Sequence, residues 1–331
     1  MRAVVVIPTL NACALLAEAL ASIDAQTVPV DVIVVDNASS DGTLELLATR
    51  FPRVTVVRNE ENLGFGRAVN QGAAAAADAD AIILVNNDAV CAPDFVARLL
   101  APFADPAVGM VAGVLLQGAA PELIDSAGIE LDTTLGSWDY LWNQPVGALD
   151  DAHDPVGPCG GAAAYRLPAF RKLGGFDETL FAYWEDVDLA LRFREAGWRC
   201  VLASGARALH RHGQTLGAAS PAARRLEAFG RGYVLAKYRA GGRSPIRRLQ
   251  IAALDWPVLV VHLVLRREVG PARERLRARS VGLRGPRRRA PLELATVGFG
   301  TALRRQAELL RLRFAGTLPA HFRSDTADGP P

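Results

Sequence analysis

Short β-branched runs alternate with longer helical patterns over residues 3–85: AVVVI, a helix from about Ala12, VIVVD, a helix from about Thr43, VTVV, a helix from about Phe65, and AIILV. Strands that read as unbroken apolar runs are buried on both faces, which calls for crossover helices on each side and hence a parallel sheet. The predicted class is α/β, a doubly wound, mostly parallel sheet. In such sheets ligands gather at the carboxyl ends of the strands. Those ends carry Pro8-Thr9-Leu10-Asn11, Asp36-Asn37-Ala38-Ser39 and Asn86-Asn87-Asp88, so three polar tips face one crevice.

With 331 residues, half of them apolar, the chain has ample material for a core, and a net charge of +2 gives no general pull toward nucleic acid. Cys13, Cys91, Cys159 and Cys200 are widely spaced and form no C-x-x-C pair, which predicts reduced thiols in a cytoplasmic protein. The opening apolar run is too short for a signal peptide. Residues 121–154 are irregular, with IDSAGIELDTTLGSWDY suggesting a strand pair. Order returns at VGPCGGAAAYRLPAFRKLGGFDE, where Gly160 and Gly161 allow a tight path into a strand and Pro168 opens a short helix closed by Gly174-Gly175. WRCVLASGARALHRHG reads as two short strands that carry His210 and His212 to a strand end.

Three carboxylates fall within four residues in FAYWEDVDLALRFREAG, at the start of a helix whose apolar face includes Leu189 and Phe193. Acids in a first turn complement the helix dipole, and they also suit acid–base chemistry. Asp188 has Arg192 one turn on and fits a structural pair. Asp41 is placed to cap the helix at Thr43, which leaves Asp36 for a base or ribose. Gly64 and Gly66 resemble the start of a dinucleotide fingerprint, but Val69 stands where its third glycine belongs. Arg67 at that helix start suits a phosphate or a base carbonyl. Asp88, one hard carboxylate beside Asn86 and Asn87, suits Mg2+ or Mn2+. His210 fits the same metal shell or a diphosphate, and His153, His212 and His321 read as structural.

Taken in order, VVIPTLN, VIVVDNASSDGT, NLGFGRAVNQG, LVNNDAV, GGAAAYRLPAFRKLGGFDETLFAYWEDVDLALRFREAGW and ALHRHG resemble the family 2 glycosyltransferases of GT-A fold, and within them the bacterial rhamnosyltransferase-like branch. The resemblance covers about the first two thirds of the chain. It implies that Pro8, Thr9, Asn11 and Asp36 line a nucleoside with Arg67 near its base. Asn87, Gly161 and Trp184 would complete the nucleotide-sugar site, Trp184 against a sugar ring. It further implies that Asp88, the last acid of a D-x-D element whose first acid is here Asn86, binds a divalent metal with His210. Asp186 would be the general base with Glu185 as alternate, for an inverting transfer of a sugar, rhamnose from its thymidine-diphosphate carrier, to a cell-envelope glycan or lipid-linked hydroxyl. A uridine-diphosphate hexose donor and an inactive nucleotide-sugar-binding scaffold are the competing readings.

A composition change near Gly241 divides the expected catalytic domain, 1–240, from a helical, basic extension, 241–331. Arginine is dense from Arg243 to Arg313. Two readings stand for this extension: contact with the anionic inner face of the cell membrane, or packing on the core or on a second subunit as a homodimer. The apolar run Ile251–Leu265 is interrupted by Asp255, Pro257 and His262 and falls short of the roughly 20 residues a spanning helix needs. The end, DGPP, reads as a frayed terminus.

Overall fold

The computed structural model describes residues 1–76, 78–211, 220–242, 244–285 and 288–315. His212, His321 and the DGPP end lie outside them. The chain forms two compact units, Met1–Ile129 with Asp139–Phe181 and Glu185–Thr215, and Glu130–Trp138 with Ala182–Trp184 and Leu216–Pro331.

The first unit opens with the expected alternation: β1 (Ala3–Thr9), α1 (Cys13–Asp24), β2 (Asp31–Asp36), α2 (Thr43–Arg50), β3 (Thr55–Arg58), α3 (Phe65–Ala75) and β4 (Ala81–Val85). β3, β2, β1 and β4 lie side by side and parallel. Alternate residues of β1 enter opposite cores, which is why its run is unbroken. Val5 and Ile7 pack with Leu16, Leu20 and Leu47, whereas Val4 and Val6 pack with Ala68 and Val69 of α3.

Beyond β4 the sheet becomes mixed. The chain continues through β5 (Ala89–Cys91), α4 (Phe95–Leu100), β6 (Val108–Gln117), β7 (Ala120–Ser126), and a small pair, β8 (Ile129–Leu131) with β9 (Ser137–Asp139). Then come β10 (Ala162–Arg166), α5 (Leu167–Lys172), α6 (Glu185–Glu195) and β11 (Arg199–His210). β10 enters antiparallel between β4 and β6. β11 runs parallel to β6 and antiparallel to β5. In place of the two short strands expected after Trp198, β11 is one strand paired in two blocks. Its register against β6 jumps between Leu202 and Arg207, so the extra residues bulge out without breaking the strand.

Three registers bring the polar tips together. Thr9 is opposite Asp36. Val6 is opposite Leu84, so Asn86, Asn87 and Asp88 leave β4 beside the end of β1. His210 pairs with Ala89, and the Arg211 N–H donates to the Asp88 carbonyl at 3.0 Å. Tyr165, Phe170, Phe176 and Phe193 fill the core beneath α5 and α6. All four cysteines are free, and burial pushes the Cys91 thiol up to about 12 and that of Cys200 further.

The second unit contains α7 (Pro221–Lys237), α8 (Pro245–Val260), α9 (Gly270–Arg284) and α10 (Phe299–Ala315). Ser220 caps α7 through its hydroxyl, which accepts from the Ala223 N–H at 3.1 Å. α7 and α9 approach closely at glycines: a Cβ on Gly232 would sit 2.8 Å from the Arg275 carbonyl oxygen, and one on Gly282 would sit 2.8 Å from that of Tyr233. Asp255 of α8 pairs with Arg231 of α7 and Arg275 of α9. Pro257 lies inside α8, and the following turn, Val261–Leu265, widens so that the Arg266 N–H reaches the Val261 carbonyl. Among the described residues no helix is long and apolar enough to cross a membrane.

Candidate active site

His210 closes β11 with both ring nitrogens engaged by carboxylates. Nδ1 lies 2.8 Å from Asp125 Oδ2, and Nε2 lies 3.2 Å from Asp88 Oδ1 and 3.2 Å from Asn86 Nδ2. All three of Asp88, Asp125 and His210 are buried. Burial alone would lower the imidazole's proton affinity, but the hydrogen bonds and charges of Asp125 and Asp88 outweigh it and raise the pKa to about 10. Asp125 was not singled out by sequence reasoning. It sits on β7 in the irregular stretch, 85 residues from its partner, and carries no spacing signal.

The second acidic cluster begins α6. Asp186 accepts from the Val187 N–H at 2.8 Å through Oδ1 and from the Gly160 N–H at 3.3 Å through Oδ2. Glu185 is buried, and its Oε2 has no hydrogen-bond partner. Burial, reinforced by the Asp186 charge, drives the Glu185 pKa well above its usual value; burial also raises that of Asp186, against its backbone hydrogen bonds. Asp188 is fully buried and forms an ion pair with Arg192 at 2.8 Å, the structural pairing expected of it. The Gly160 loop joins the two clusters. A Cβ on Gly161 would come 2.8 Å from Asn86 Nδ2, and the Asn86 N–H donates to the Gly161 carbonyl at 3.3 Å. A side chain at Gly161 would have to displace Asn86.

On the other side of the crevice Asn87 Nδ2 donates to Thr9 Oγ1 at 3.0 Å, beside the half-buried Pro8. Asn11, in the left-handed region at φ 47°, accepts from the Ser40 N–H at 2.8 Å. Asp36 is fully buried and accepts from the Ser39 N–H at 3.2 Å, so its carboxylate shapes the tip of β2. Asp41 accepts from the Thr43 N–H at 3.2 Å and hydroxyl at 2.6 Å just ahead of α2, but the capping position expected of it is taken by the left-handed Gly42. The structure thus gathers Thr9, Asn87, Asp88, Gly161, Asp186 and His210 along one set of strand and helix ends. Arg67 instead forms an exposed ion pair with Glu178 at 3.6 Å. Trp184 belongs to the second unit. There it lies under the Arg231 guanidinium, 5.6 Å from its ring centre, and against Gly230. His153 stacks on Tyr140, a structural role as expected.

Asp88 Oδ1 and His210 Nε2 point at one another, and Asp125 holds the far nitrogen as outer carboxylates do for metal-ligating imidazoles. This donor set fits one divalent cation. Among the described residues no three His, Cys, Asp or Glu side chains converge on one ion. A cation here would therefore be completed by ligand oxygens and water, in the manner of Mg2+ and Mn2+.

The family model for glycosyl transferase family 2 matches residues 4–174. The chain is 31% identical over 274 residues to the N-acetylglucosaminyl-diphospho-decaprenol L-rhamnosyltransferase of Mycobacterium tuberculosis, covering 75% of this chain and 87% of that one. It is 29% identical over 225 residues to the O-antigen chain rhamnosyltransferase RfbN of Salmonella typhimurium, covering 65% and 68%. Among solved structures, the mannosyltransferase PcManGT of Pyrobaculum calidifontis, in complex with GDP-Man and Mn2+, superposes with a TM-score of 0.54 at 22% identity over 97% of this chain and 82% of that chain. GalNAc-T7 with UDP, GalNAc and Mn2+ gives 0.56 at 18% identity over 76% and 54%. A family model spanning more than half of the chain, together with a relative matched over three quarters of it, assigns the protein: it belongs to glycosyltransferase family 2 and has the GT-A fold.

Proposed function

We propose that this glycosyltransferase moves rhamnose from thymidine-diphosphate rhamnose to a hydroxyl of a lipid-linked glycan at the cytoplasmic face of a membrane, with inversion at the anomeric carbon. The two curated relatives named above, both rhamnosyltransferases, one acting on a decaprenyl-diphosphate sugar, support the sugar and the acceptor class. The observation that carries the mechanism is the unequal acid pair at the start of α6. Asp186 accepts from the Val187 and Gly160 N–H groups, whereas Glu185 Oε2 has no hydrogen-bond partner, so of the two acids Asp186 carries its charge more readily.

Asp186 then accepts the proton of the acceptor hydroxyl as that oxygen bonds to the anomeric carbon. The bond from that carbon to the diphosphate breaks, and its electron pair leaves with the nucleotide. Asp88 and His210 would hold Mg2+ or Mn2+, which neutralises the departing diphosphate. Pro8, Thr9 and Asn11 would line the nucleoside, and Asp36, expected to bind base or ribose, instead is fully buried and holds the turn beneath them. Arg67, at the start of α3, would have to leave Glu178 to reach the base, and Asn87 and Gly161 would line the sugar-diphosphate path.

Asp186→Asn is the test. Sugar transfer from thymidine-diphosphate rhamnose to an N-acetylglucosaminyl-diphospho-lipid should fall about 10²–10⁴-fold, the usual contribution of a positioned base, while nucleotide-induced thermal stabilisation persists. Turnover within a few-fold of the parent protein would remove Asp186 from the role. Stabilisation by uridine-diphosphate hexoses alone would change the donor and leave the mechanism.

A further inference from the structure

Helix α8 is turned inside out for a water-exposed helix. Its acid, Asp255, points inward to Arg231 and Arg275, and Leu254 is its one buried apolar side chain. Its apolar residues point outward: Ile246 is 68% exposed, Leu249 71%, Trp256 60% and Val260 46%, and Val264 in the following turn is 65% exposed. Steps of three, seven, four and four residues keep all five on one stripe of a 3.6-residue helix. A surface helix in water places such a stripe against its own core. Here the inward side carries the Asp255 ion pairs and a single apolar contact, Leu254 against Val297 and Ala302, and the described residues leave the apolar stripe exposed.

Exposed arginines adjoin both ends of this stripe, Arg248 next to Leu249 and Arg266 with Arg267 just beyond Val264. At the amino end of α8 a concavity of about 420 Å3 is lined by Arg239, Arg247, Arg288 and Arg289 with Glu293 as its one acid. Along α9 the exposed Leu276 and Leu283 are interleaved with Arg273, Arg277, Arg279 and Arg284. Exposed aliphatic and indole groups flanked by guanidinium groups match the boundary of an anionic bilayer, where acyl chains take the apolar groups and lipid phosphates take the cations. A water-soluble partner would supply the apolar surface without a sheet of phosphate at its rim. We infer that the second unit docks on an anionic phospholipid surface through the outward stripe of α8, with the arginine-lined concavity seating a lipid phosphate. The docking stands whatever sugar the first unit transfers.

Flotation of the full chain with phosphatidylcholine vesicles, with and without phosphatidylglycerol, tests it. The parent protein should float with the phosphatidylglycerol vesicles, remain behind with pure phosphatidylcholine, and be released by high salt. Leu249→Ser with Trp256→Ser should lower the bound fraction at least tenfold. Arg247→Gln and Arg289→Gln should each lower it about fivefold. Thermal melting checks that the variants are folded; if the double variant melts early, Ile246→Ser at the first turn replaces it. Absence of flotation with phosphatidylglycerol, or flotation indifferent to the apolar substitutions, overturns the inference. So does light scattering that finds a dimer which the double variant dissociates while vesicles bind neither form; the stripe would then belong to a second copy.

Discussion

Asp88 and Asp125 flank an imidazole, whereas Glu185 and Asp186 stand next to one another in the first turn of α6, and the two acid pairs respond to burial in different ways. At His210 the carboxylates outweigh burial and hold the ring cationic up to about pH 10 in the metal-free protein. At the start of α6 burial prevails, and both acids are pushed toward their neutral forms. Asp188, on the next half-turn of the same helix, is more deeply buried than either and is matched by Arg192. The comparison teaches that position near a helix start does not set the chemistry; the available cation or backbone donor does.

The largest effect should come from Asp188. Asp188→Ala leaves the Arg192 guanidinium buried without its carboxylate and should cost about 3–5 kcal/mol in urea unfolding. Asp186→Asn, which removes a charge that burial already disfavours, should leave stability unchanged or raise it. Equal destabilisation by the two substitutions would break the distinction between the paired acid and the unpaired one.

Next is the pH dependence at His210. Its folded pKa is raised, so its stabilising contribution is complete below the unfolded value of about 6.5 and is lost as pH rises through about 10. Thermal midpoints of the metal-free protein should decline over that window, and Asp125→Asn should move the decline to lower pH. In the same variant, Mn2+ affinity measured by titration calorimetry should fall about 10–100-fold, as for loss of a carboxylate that orients a metal-ligating imidazole. Unchanged affinity would reduce Asp125 to a structural neighbour.

How far these pairs were legible in the sequence depended on distance along the chain. Asp88, Asp186 and His210 stand in motifs whose order alone marked them. The parallel half of the sheet followed from β-branched runs whose two-sided burial β1 displays residue by residue. Asp125 was hidden because its meeting with His210 depends on β7 pairing beside β6, a contact that no local pattern announces. The inclusion of residues 130–138 in the second unit was hidden for the same reason: the Thr296 and Val297 N–H groups donate to the Leu131 carbonyl across a long stretch of chain. The left-handed backbone at Tyr183 and Trp184, φ 66° and 74°, was invisible too, since bulky residues do not advertise that conformation.

The smallest effect, and the sharpest for the acid pair, should come from Glu185→Gln. A carboxyl whose folded pKa is raised stabilises the fold below its unfolded pKa, near 4.5, and loses that contribution as pH rises through the folded value. At neutral pH the parent protein therefore bears the cost of either holding a proton or burying a second charge beside Asp186. Glutamine keeps the shape and removes the ionisation, so the variant should gain stability at pH 7 and lose the slope above the usual glutamate pKa. Because burial and backbone hydrogen bonds, not the Glu185 charge, set the Asp186 shift, the acid limb of the transfer rate should stay where it is. A variant that is less stable at pH 7 would mean that the Glu185 carboxylate is satisfied in the folded protein, and the contrast that favours Asp186 as the base would fall with it.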